Sequence, residues 1–198
     1  MLIAIEGIDG AGKTTIVKFL AEELKKRGYK VATFKEPTDS EWGRRVRQEK
    51  LKPEEELELF LKDREWNVRN NIVPALSSGK IVILDRYYYS TIAYQGARGI
   101  SVELIKKLNE RFPKPDLVII LDVSPETALK RIKGRGVPDK FERIEFLKKV
   151  RENFLKLRDK NVIIIDAELD LDTVKKKVLE VVLKYLQQKA SPLRGRNI

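Results

Sequence analysis

The sequence predicts an α/β fold in which helices cover both faces of a parallel β-sheet. Five apolar runs rich in β-branched residues recur along the chain, and the segments between them are long enough to hold crossover helices. Parallel strands are buried on both faces, so their sequences are almost continuously apolar. The predicted strands are LIAIE (2–6), KVATF (30–34), KIVIL (80–84), DLVIILD (116–122) and NVIIID (161–166).

Two helices have clear boundaries in the sequence. The first is predicted over 13–27, because its last turn is cationic and Gly28 can adopt the left-handed conformation that ends a helix. The second is predicted over 53–77, because it opens with a proline and three glutamates, which favour the positive end of a helix. The chain contains no internal repeat, so one domain is predicted over 1–188, followed by a basic flexible tail at 189–198.

The composition limits the chemistry that this chain can perform. It contains no Cys and no His, which removes disulfides, thiolate chemistry and the commonest general base and metal ligand. No apolar run approaches the roughly 18 residues that a membrane span requires. A strand is predicted to start at Leu2 and leaves no room for a cleavable signal, so a soluble, cytoplasmic protein is expected.

The net charge of +11 permits nucleic acid or phosphorylated small molecules as partners. Residues 130–160 hold twelve Lys/Arg and five Asp/Glu, which is typical of solvated helix faces. No aromatic-interleaved basic strand or recognition-helix motif accompanies these charges, so the sequence does not predict nucleic acid as a partner.

A phosphate-binding loop is predicted between the first strand and the first helix. Residues 7–14 match GxxxxGK[ST], a pattern whose glycines let successive backbone N–H groups point at phosphate oxygens. Lys13, expected to be an exposed loop lysine, would reach the β and γ phosphates, and Thr14 would hold Mg²⁺. The motif predicts ATP binding but leaves kinase, GTPase and motor ATPase open. The predicted ATP-binding residues are Gly7, Ile8, Asp9, Gly10, Ala11, Gly12, Lys13, Thr14 and Thr15.

Two acids compete for the position that faces the phosphate loop. Asp85 and Asp122 each end a predicted strand. Asp85 is favoured for metal or acceptor chemistry, because Arg86 and then Ser90, Tyr94 and Gln95 leave the same strand end. Asp122 is interpreted as a helix-entry acid.

The second helix carries a possible base-binding face. At 100° per residue, Phe60, Arg64, Asn67 and Asn71 border an apolar stripe. Polar groups beside a core need polar partners, and a nucleotide base would supply them: Phe60 could stack on the ring while Arg64 donates to a carbonyl. The alternative is a core phenylalanine beside a solvated polar edge.

Five collinear motifs over roughly 1–185 resemble thymidylate kinases: EGIDGAGKTT, FLKDR, DRYYYSTIAYQG, PDLVIILDVSPETALKRI, and KFER before a basic helix. The resemblance implies a P-loop three-layer sandwich with a five-stranded parallel sheet flanked by helices, usually in a homodimer. It also implies Mg-dependent transfer of the ATP γ-phosphate to dTMP, giving dTDP for dTTP synthesis.

The same resemblance implies individual roles. Phe60 would stack on thymine, Arg64 would bind its O4, and Thr91 or Gln95 would help to read the base edge. Arg86 would bind the acceptor phosphate, and Ser90 is also among the predicted substrate-binding residues. Asp9 would serve the acceptor sugar or the metal, and Asp85 would support Mg²⁺; Lys13, Asp9, Arg86 and Arg135 are the predicted catalytic residues.

Spacing assigns Tyr94 to the acceptor sugar. A helix that begins near Ser90 places Ser90 and Tyr94 on one face, while Arg86 is needed at the phosphate and Phe60 at the base. Tyr94 is therefore predicted to exclude a ribose 2′-hydroxyl. The alternative is a buried packing residue whose hydroxyl is bonded elsewhere.

The chain departs from the resemblance at two positions. Some members carry arginine in the phosphate loop where this chain has Gly10, and similar loops take that cation from a mobile lid. The lid would be 131–143, with Arg135 as first choice because Gly134 and Gly136 flank it. The other cationic candidates are Arg131, Lys133 and Arg143. Asn67 stands where many relatives have His and is given no catalytic role.

Three other functions stay open on the sequence. One is a kinase for another nucleoside or nucleotide. Another is a basic ATPase stimulated by nucleic acid, and the third is a nucleotide-binding regulatory module that transfers nothing.

Overall fold

The computed structural model describes residues 1–132 and 140–190. The predictions made for Lys133, Arg135 and the chain beyond 190 lie outside the described residues.

A five-stranded parallel sheet organises the fold. The strands are β1 (Leu2–Glu6), β2 (Val31–Lys35), β3 (Ile81–Asp85), β4 (Leu117–Asp122) and β5 (Val162–Asp166), in the order β2-β3-β1-β4-β5. Each predicted strand is confirmed to within one residue at either end. Because all strands run the same way, their carboxyl ends share one edge, where ligands bind in open α/β sheets.

Nine α-helices and one π-helical segment connect and flank the strands in the described part of the chain. The order is α1 (Lys13–Lys26), α2 (Glu41–Gln48), α3 (Pro53–Asn67), a π-helical segment (Val68–Ile72), α4 (Val73–Ser77), α5 (Tyr88–Ala97), α6 (Val102–Asn109), α7 (Pro125–Arg131), α8 (Lys140–Leu155) and α9 (Leu171–Ala190). None of the described helices is long and apolar enough to cross a membrane.

The helix predicted over 53–77 consists of three segments with a wider turn in the middle. The N–H of Val73 donates to the carbonyl of Val68, five residues back, which defines a π turn. Pro74 follows, has no N–H to donate, and its ring would clash with the carbonyl four residues back. The widened turn accommodates this proline without ending the helix.

The last helix corrects the predicted tail boundary. α9 continues to Ala190, so Lys189 belongs to the helix and not to a tail. The Lys189 ammonium group binds the Asp116 carboxylate and lies 5.7 Å from the centre of the Tyr185 ring.

The core lies around the three central strands. All residues of β1 and β3 are buried, as are those of β4 up to Leu121. α1 and α9 pack against each other and against the sheet, while α5 packs against α3, α6 and α8. This buried centre holds the segments that leave β1 and β3 at the carboxyl edge.

Candidate active site

The phosphate loop leaves β1 and opens α1 through a left-handed glycine. Gly12 precedes the helix with φ 93°, a conformation that residues with a Cβ rarely adopt. Gly10 has φ 87°, and a Cβ there would lie 2.3 Å from the carbonyl oxygen of Ala128. This backbone therefore leaves no room for the loop arginine of some related kinases.

Lys13 is enclosed by the loop, which corrects the expectation of an exposed side chain. It is 6 % exposed, and Nζ donates to the carbonyls of Gly7 (3.1 Å) and Ile8 (2.8 Å). Burial, and after it the neighbouring Arg86 charge, lowers the pKa of Lys13 to about 7. Phosphate oxygens would offer this ammonium the negative charge that two carbonyls lack.

A hydroxyl and a carboxylate meet beside the loop. The Thr14 hydroxyl donates to Asp85 Oδ2 at 2.5 Å, which joins the start of α1 to the end of β3. Mg²⁺ is commonly held by one or two such oxygen ligands together with substrate phosphates and water. Within the described residues, no three acidic side chains cluster into a metal site. The Thr14 hydroxyl and the Asp85 carboxylate are two oxygen ligands of the kind that Mg²⁺ takes.

Asp122 is engaged elsewhere. Its carboxylate accepts from Arg151 Nε (2.6 Å) and Nη2 (2.9 Å), while the N-cap of α7 is Ser124. The helix-entry role predicted for Asp122 thus belongs to Ser124. Of the two competing acids, Asp85 is the one beside the phosphate loop.

Arg86 reaches the loop from the turn after β3. It adopts φ 72°, which costs about 1–3 kcal/mol for a residue other than glycine. Its Nη2 donates to Asp9 Oδ1 (2.5 Å) and its Nη1 to Ser90 Oγ (2.9 Å). Burial would raise the pKa of Asp9, but the charges of Arg86 and Lys13 outweigh it and lower that pKa. A strained, doubly anchored arginine beside the phosphate loop is placed to bind a second anion.

Tyr94 connects α5 to the phosphate loop. Its hydroxyl accepts from the backbone N–H of Asp9 at 3.0 Å, and its ring lies edge-on to Phe146 and Phe154. The Arg86 guanidinium lies 5.1 Å from the ring centre. These contacts agree with the alternative that Tyr94 supports the site, and they do not test its predicted place beside the sugar.

Arg64 is buried to 1 % exposure and bonded on several sides. Its Nε and Nη2 donate to Glu36 Oε2 (2.9 and 2.7 Å), Nη1 to Asn109 (2.7 Å) and Nη2 to Thr91 (3.1 Å). Asn67 is also fully buried and donates to Glu36. The polar border of the helix is therefore internal and not a solvated edge. Side chains of the protein already accept most of the hydrogen bonds that the Arg64 guanidinium can donate. Base binding by Arg64 therefore stays a prediction.

Phe60 and Gln95 complete the predicted base-reading set. Phe60 is partly exposed. Gln95 is buried and donates to Glu56, while its Oε1 has no hydrogen-bond partner among the described residues. A buried, unbonded acceptor is costly, which marks this atom as one that a ligand donor could satisfy.

A cavity of 670 Å³ opens at the carboxyl edge of the sheet. Five cations and two acids line it, so it suits a polyanion. The predicted Phe60, Arg64, Thr91 and Gln95 do not line it. The charged lining residues are Asp9, Lys13, Lys35, Asp85, Arg86, Arg131 and Arg143.

Two parts of this cavity were missed from the sequence. Lys35 lines it because β2 pairs with β3 so that Lys35 lies opposite Asp85. Apolar residues after β5, among them Leu169, Leu171 and Val174, form another wall. The rule that ligands bind at the carboxyl ends of parallel strands could have found both. Arg131 reaches this wall and donates to the Ala167 carbonyl at 2.9 Å.

The parallel sheet, the glycine loop around Lys13 and the cation-lined cavity define a P-loop nucleotide-binding protein. The family model described as thymidylate kinase matches residues 5–178. The chain belongs to the thymidylate kinase family. It is 54 % identical over 192 residues to the probable thymidylate kinase of Archaeoglobus fulgidus, covering 96 % of this chain and 98 % of the relative.

Bacterial thymidylate kinases are similar over nearly the same span. That of Xylella fastidiosa (strain 9a5c) is 42 % identical over 198 residues, covering 98 % of this chain and 95 % of the relative. That of Xanthomonas campestris pv. campestris (strain B100) is 44 % identical over 191 residues, covering 94 % and 84 %. The resemblance seen in the five motifs is confirmed.

Proposed function

We propose that this chain transfers the γ-phosphoryl group of ATP to dTMP, giving dTDP for dTTP synthesis. The observation that carries the proposal is the Asp9–Arg86 ion pair, which joins an acceptor-side cation to the donor-side phosphate loop. One side of that pair belongs to the ATP-binding motif, and the other belongs to the DRYYYSTIAYQG segment of the family resemblance. Nearly full-length similarity to thymidylate kinases supports dTMP as the acceptor.

On the donor side, Lys13 and the loop N–H groups hold the ATP phosphates. Thr14 and Asp85 would hold Mg²⁺, which neutralises phosphate charge when it is bound. Asp85 is already fixed by the Thr14 hydroxyl, so this pair needs little rearrangement. Phosphoryl transfer depends on positioning and charge neutralisation, and the acceptor phosphate oxygen is already nucleophilic. A chain without histidine can therefore perform it.

On the acceptor side, Arg86 binds the phosphate of dTMP and presents it in line with ATP. Asp9 and Ser90 hold its guanidinium, so binding requires little ordering of the side chain. Phe60 stacks on thymine, and Arg64, Thr91 and Gln95 form the polar wall that reads the base. Tyr94 lies beside the sugar.

We also propose that a cation from the segment 131–143 closes over the transferring phosphate. The absence of space for a side chain at Gly10 supports this proposal, since the loop cannot supply the cation itself. Arg131 and Arg143 line the cavity, and Arg135, the first choice, lies outside the described residues.

A homodimer is proposed as the assembly, acting in the cytoplasm. Trp66 in α3 and Val73 in α4 are 40 % and 44 % exposed, which is high for large apolar side chains on one helical stretch. A second copy packed on this face would cover both. Sedimentation of the native chain and of Trp66→Glu tests the assembly: a native species that stays monomeric at micromolar concentration contradicts it.

The function is tested by incubating the chain with MgATP and one acceptor at a time: dTMP, dUMP, dCMP or dGMP. ADP release is followed together with chromatography of the nucleotide product. We expect dTMP to give the highest kcat/KM and stoichiometric dTDP. A better acceptor in the panel would indicate another nucleotide kinase, and hydrolysis stimulated by DNA without acceptor would indicate an ATPase.

A further inference from the structure

Glu6 is a buried carboxylate to which the proposed reaction gives no role. It is the last residue of β1, directly before the phosphate loop, and its exposed fraction is 0 %. The rest of the strand, LIAI, is apolar, and an apolar side chain at position 6 would pack without the cost of burying a carboxylate. Glu6 is therefore expected to contribute through its hydrogen bonds.

Both oxygens of Glu6 bind groups that adjoin Arg86. Oε1 accepts from the backbone N–H of Tyr87 at 2.8 Å, and Oε2 accepts from the Ser90 hydroxyl at 2.5 Å. The same Ser90 oxygen accepts from Arg86 Nη1 at 2.9 Å. A continuous chain of hydrogen bonds therefore runs from the Arg86 guanidinium through Ser90 to Glu6.

The backbone of Arg86 is held by the same strand end. The N–H of Arg86 donates to the carbonyl of Ile5 at 3.0 Å, and the next N–H, that of Tyr87, donates to Glu6. Left-handed conformations of residues other than glycine persist when surrounding contacts determine them. Two consecutive N–H groups bonded to β1 supply such contacts for Arg86 at φ 72°.

We infer that Glu6 is a positioning residue for the acceptor phosphate, holding Arg86 through the Tyr87 N–H and the Ser90 hydroxyl. The inference rests on the proposed function in one respect, which is that Arg86 binds the phosphate of dTMP. It adds a functional carboxylate at the end of β1, one residue before the GxxxxGK[ST] pattern of residues 7–14.

The charge of Glu6 provides a specific signature. Burial raises the pKa of Glu6 to about 7, against the hydrogen bond from Ser90 and the charge of Arg86, which lower it. Lys13, from the start of α1, is the other charged group that acts on it, and Ile120 lies opposite on β4. An ionised carboxylate accepts both hydrogen bonds better than a protonated one, so acceptor binding should improve as pH rises through about 7.

The test compares Glu6→Gln with the native enzyme in KM for dTMP, KM for ATP and their pH profiles. The amide keeps one acceptor oxygen and replaces the other by a donor, so one of the two partners loses its acceptor. We expect a rise of roughly tenfold in KM for dTMP, the effect of losing one hydrogen bond to a charged group. KM for ATP should change less than twofold, and the rise of dTMP kcat/KM near pH 7 should disappear.

Ser90→Ala keeps Glu6 and removes only the link between it and Arg86. It should raise KM for dTMP by a similar factor, and the double variant should be no worse than the more affected single variant, because the residues act as one chain. Since this variant changes little buried volume, it remains informative if Glu6→Gln fails to fold.

Asp63→Asn is the matched control. Asp63 is also a buried carboxylate that accepts from a backbone N–H and from hydroxyls, those of Thr38 and Ser40. It should lose stability but keep the pH-dependent rise of dTMP kcat/KM. If Glu6→Gln likewise loses stability but keeps the pH-dependent rise of dTMP kcat/KM, Glu6 has only a structural role and the inference is wrong.

Arg86→Lys distinguishes a failure of the proposed function from a failure of this inference. If Arg86→Lys leaves KM for dTMP unchanged, Arg86 does not bind the acceptor phosphate, and the proposed role of Arg86 is wrong before that of Glu6 is tested.

Discussion

At the residue scale, burial changes what individual charges at this site can do. Lys13 is enclosed by the phosphate loop, and Glu6 is enclosed directly behind it. Burial disfavours the charged form of each group, so their pKa values converge on about 7 from opposite directions. The phosphate loop and the strand end behind it thus hold an ammonium and a carboxylate whose charges both depend on pH near neutrality. ATP phosphates would stabilise the first, and the Ser90 and Tyr87 donors stabilise the second.

The first prediction concerns Lys13→Ala. We expect the fold to be retained without loss of stability, because the change removes a buried charge that burial itself disfavours. Transfer should fall at least 10²–10³-fold, roughly the effect of removing one preorganised donor at a transition state. Circular dichroism, denaturant unfolding and turnover are compared with Lys18→Ala, an exposed lysine of the same helix. Near-native turnover of Lys13→Ala would refute the donor-site assignment.

The second prediction concerns stability against pH. The pKa of Glu6 is raised from 4.5 to about 7 on folding, so the folded protein binds the extra proton between these values. The free energy of unfolding should therefore fall as pH rises from about 4.5 to 7, by at most about 3 kcal/mol from this group. Urea unfolding at pH 5 and pH 8 measures the difference. Glu6→Gln should reduce the difference in the free energy of unfolding between pH 5 and pH 8. If the variant and the native protein show the same difference, Glu6 stays charged over this pH range.

At the element scale, two strand–turn–helix units meet because their strands are neighbours in the sheet. β1 leads through the phosphate loop into α1, and β3 leads through Arg86 into α5. The units are distant in sequence, yet parallel pairing aligns their carboxyl ends. The Thr14–Asp85 and Asp9–Arg86 contacts join them directly. The site is therefore a property of two adjacent strand ends and not of either segment alone.

The third prediction concerns Tyr94 on α5. The ring would exclude a 2′-hydroxyl, whereas the hydroxyl group accepts from the Asp9 N–H. Tyr94→Phe keeps the ring, so it should lower efficiency while preserving the preference for dTMP over its ribonucleotide. Tyr94→Ala removes both functions and should narrow that preference. The measurement is kcat/KM for both acceptors in all three proteins. If Tyr94→Ala lowers both values equally, Tyr94 supports the loop and does not select the sugar.

At the scale of the whole molecule, segments that are distant in sequence bring positive charges together at one cavity. Five cations from the ends of β2, β3 and α7 and from the starts of α1 and α8 line one opening with two acids. In the proposed function, such a surface would attract a nucleoside triphosphate and an acceptor phosphate together, although these two anions repel each other.

The fourth prediction concerns the cation over the transferring phosphate. Arg131→Ala, Arg135→Ala and Arg143→Ala are measured singly, with the exposed Lys130→Ala as control. One of the three should lose kcat on the order of 10³-fold, by analogy with arginine fingers. Arg131 already donates to the Ala167 carbonyl, so Arg131→Ala should mainly disturb the cavity wall formed by the residues after β5. Three mild effects would show that these charges are solvated surface groups.

The sequence by itself determined the strands, the boundaries of α1 and the phosphate loop. These depend on neighbouring residues: runs of apolar side chains, a cationic last turn before Gly28, and glycines at fixed spacing. The motifs also predicted the kinase family, which the comparisons confirm.

Only the tertiary structure decided which side chains meet. Glu6 lies 84 residues from Ser90, and Arg64 lies 28 residues from Glu36, so no local pattern indicates that these pairs bond. The burial of Lys13, the pairing of Asp122 with Arg151 and the position of Lys35 likewise depend on how separate elements pack. Local periodicity specifies which face of an element is apolar. The partner of a buried charge is set by contacts between distant segments, which form only when the sheet and its helices come together.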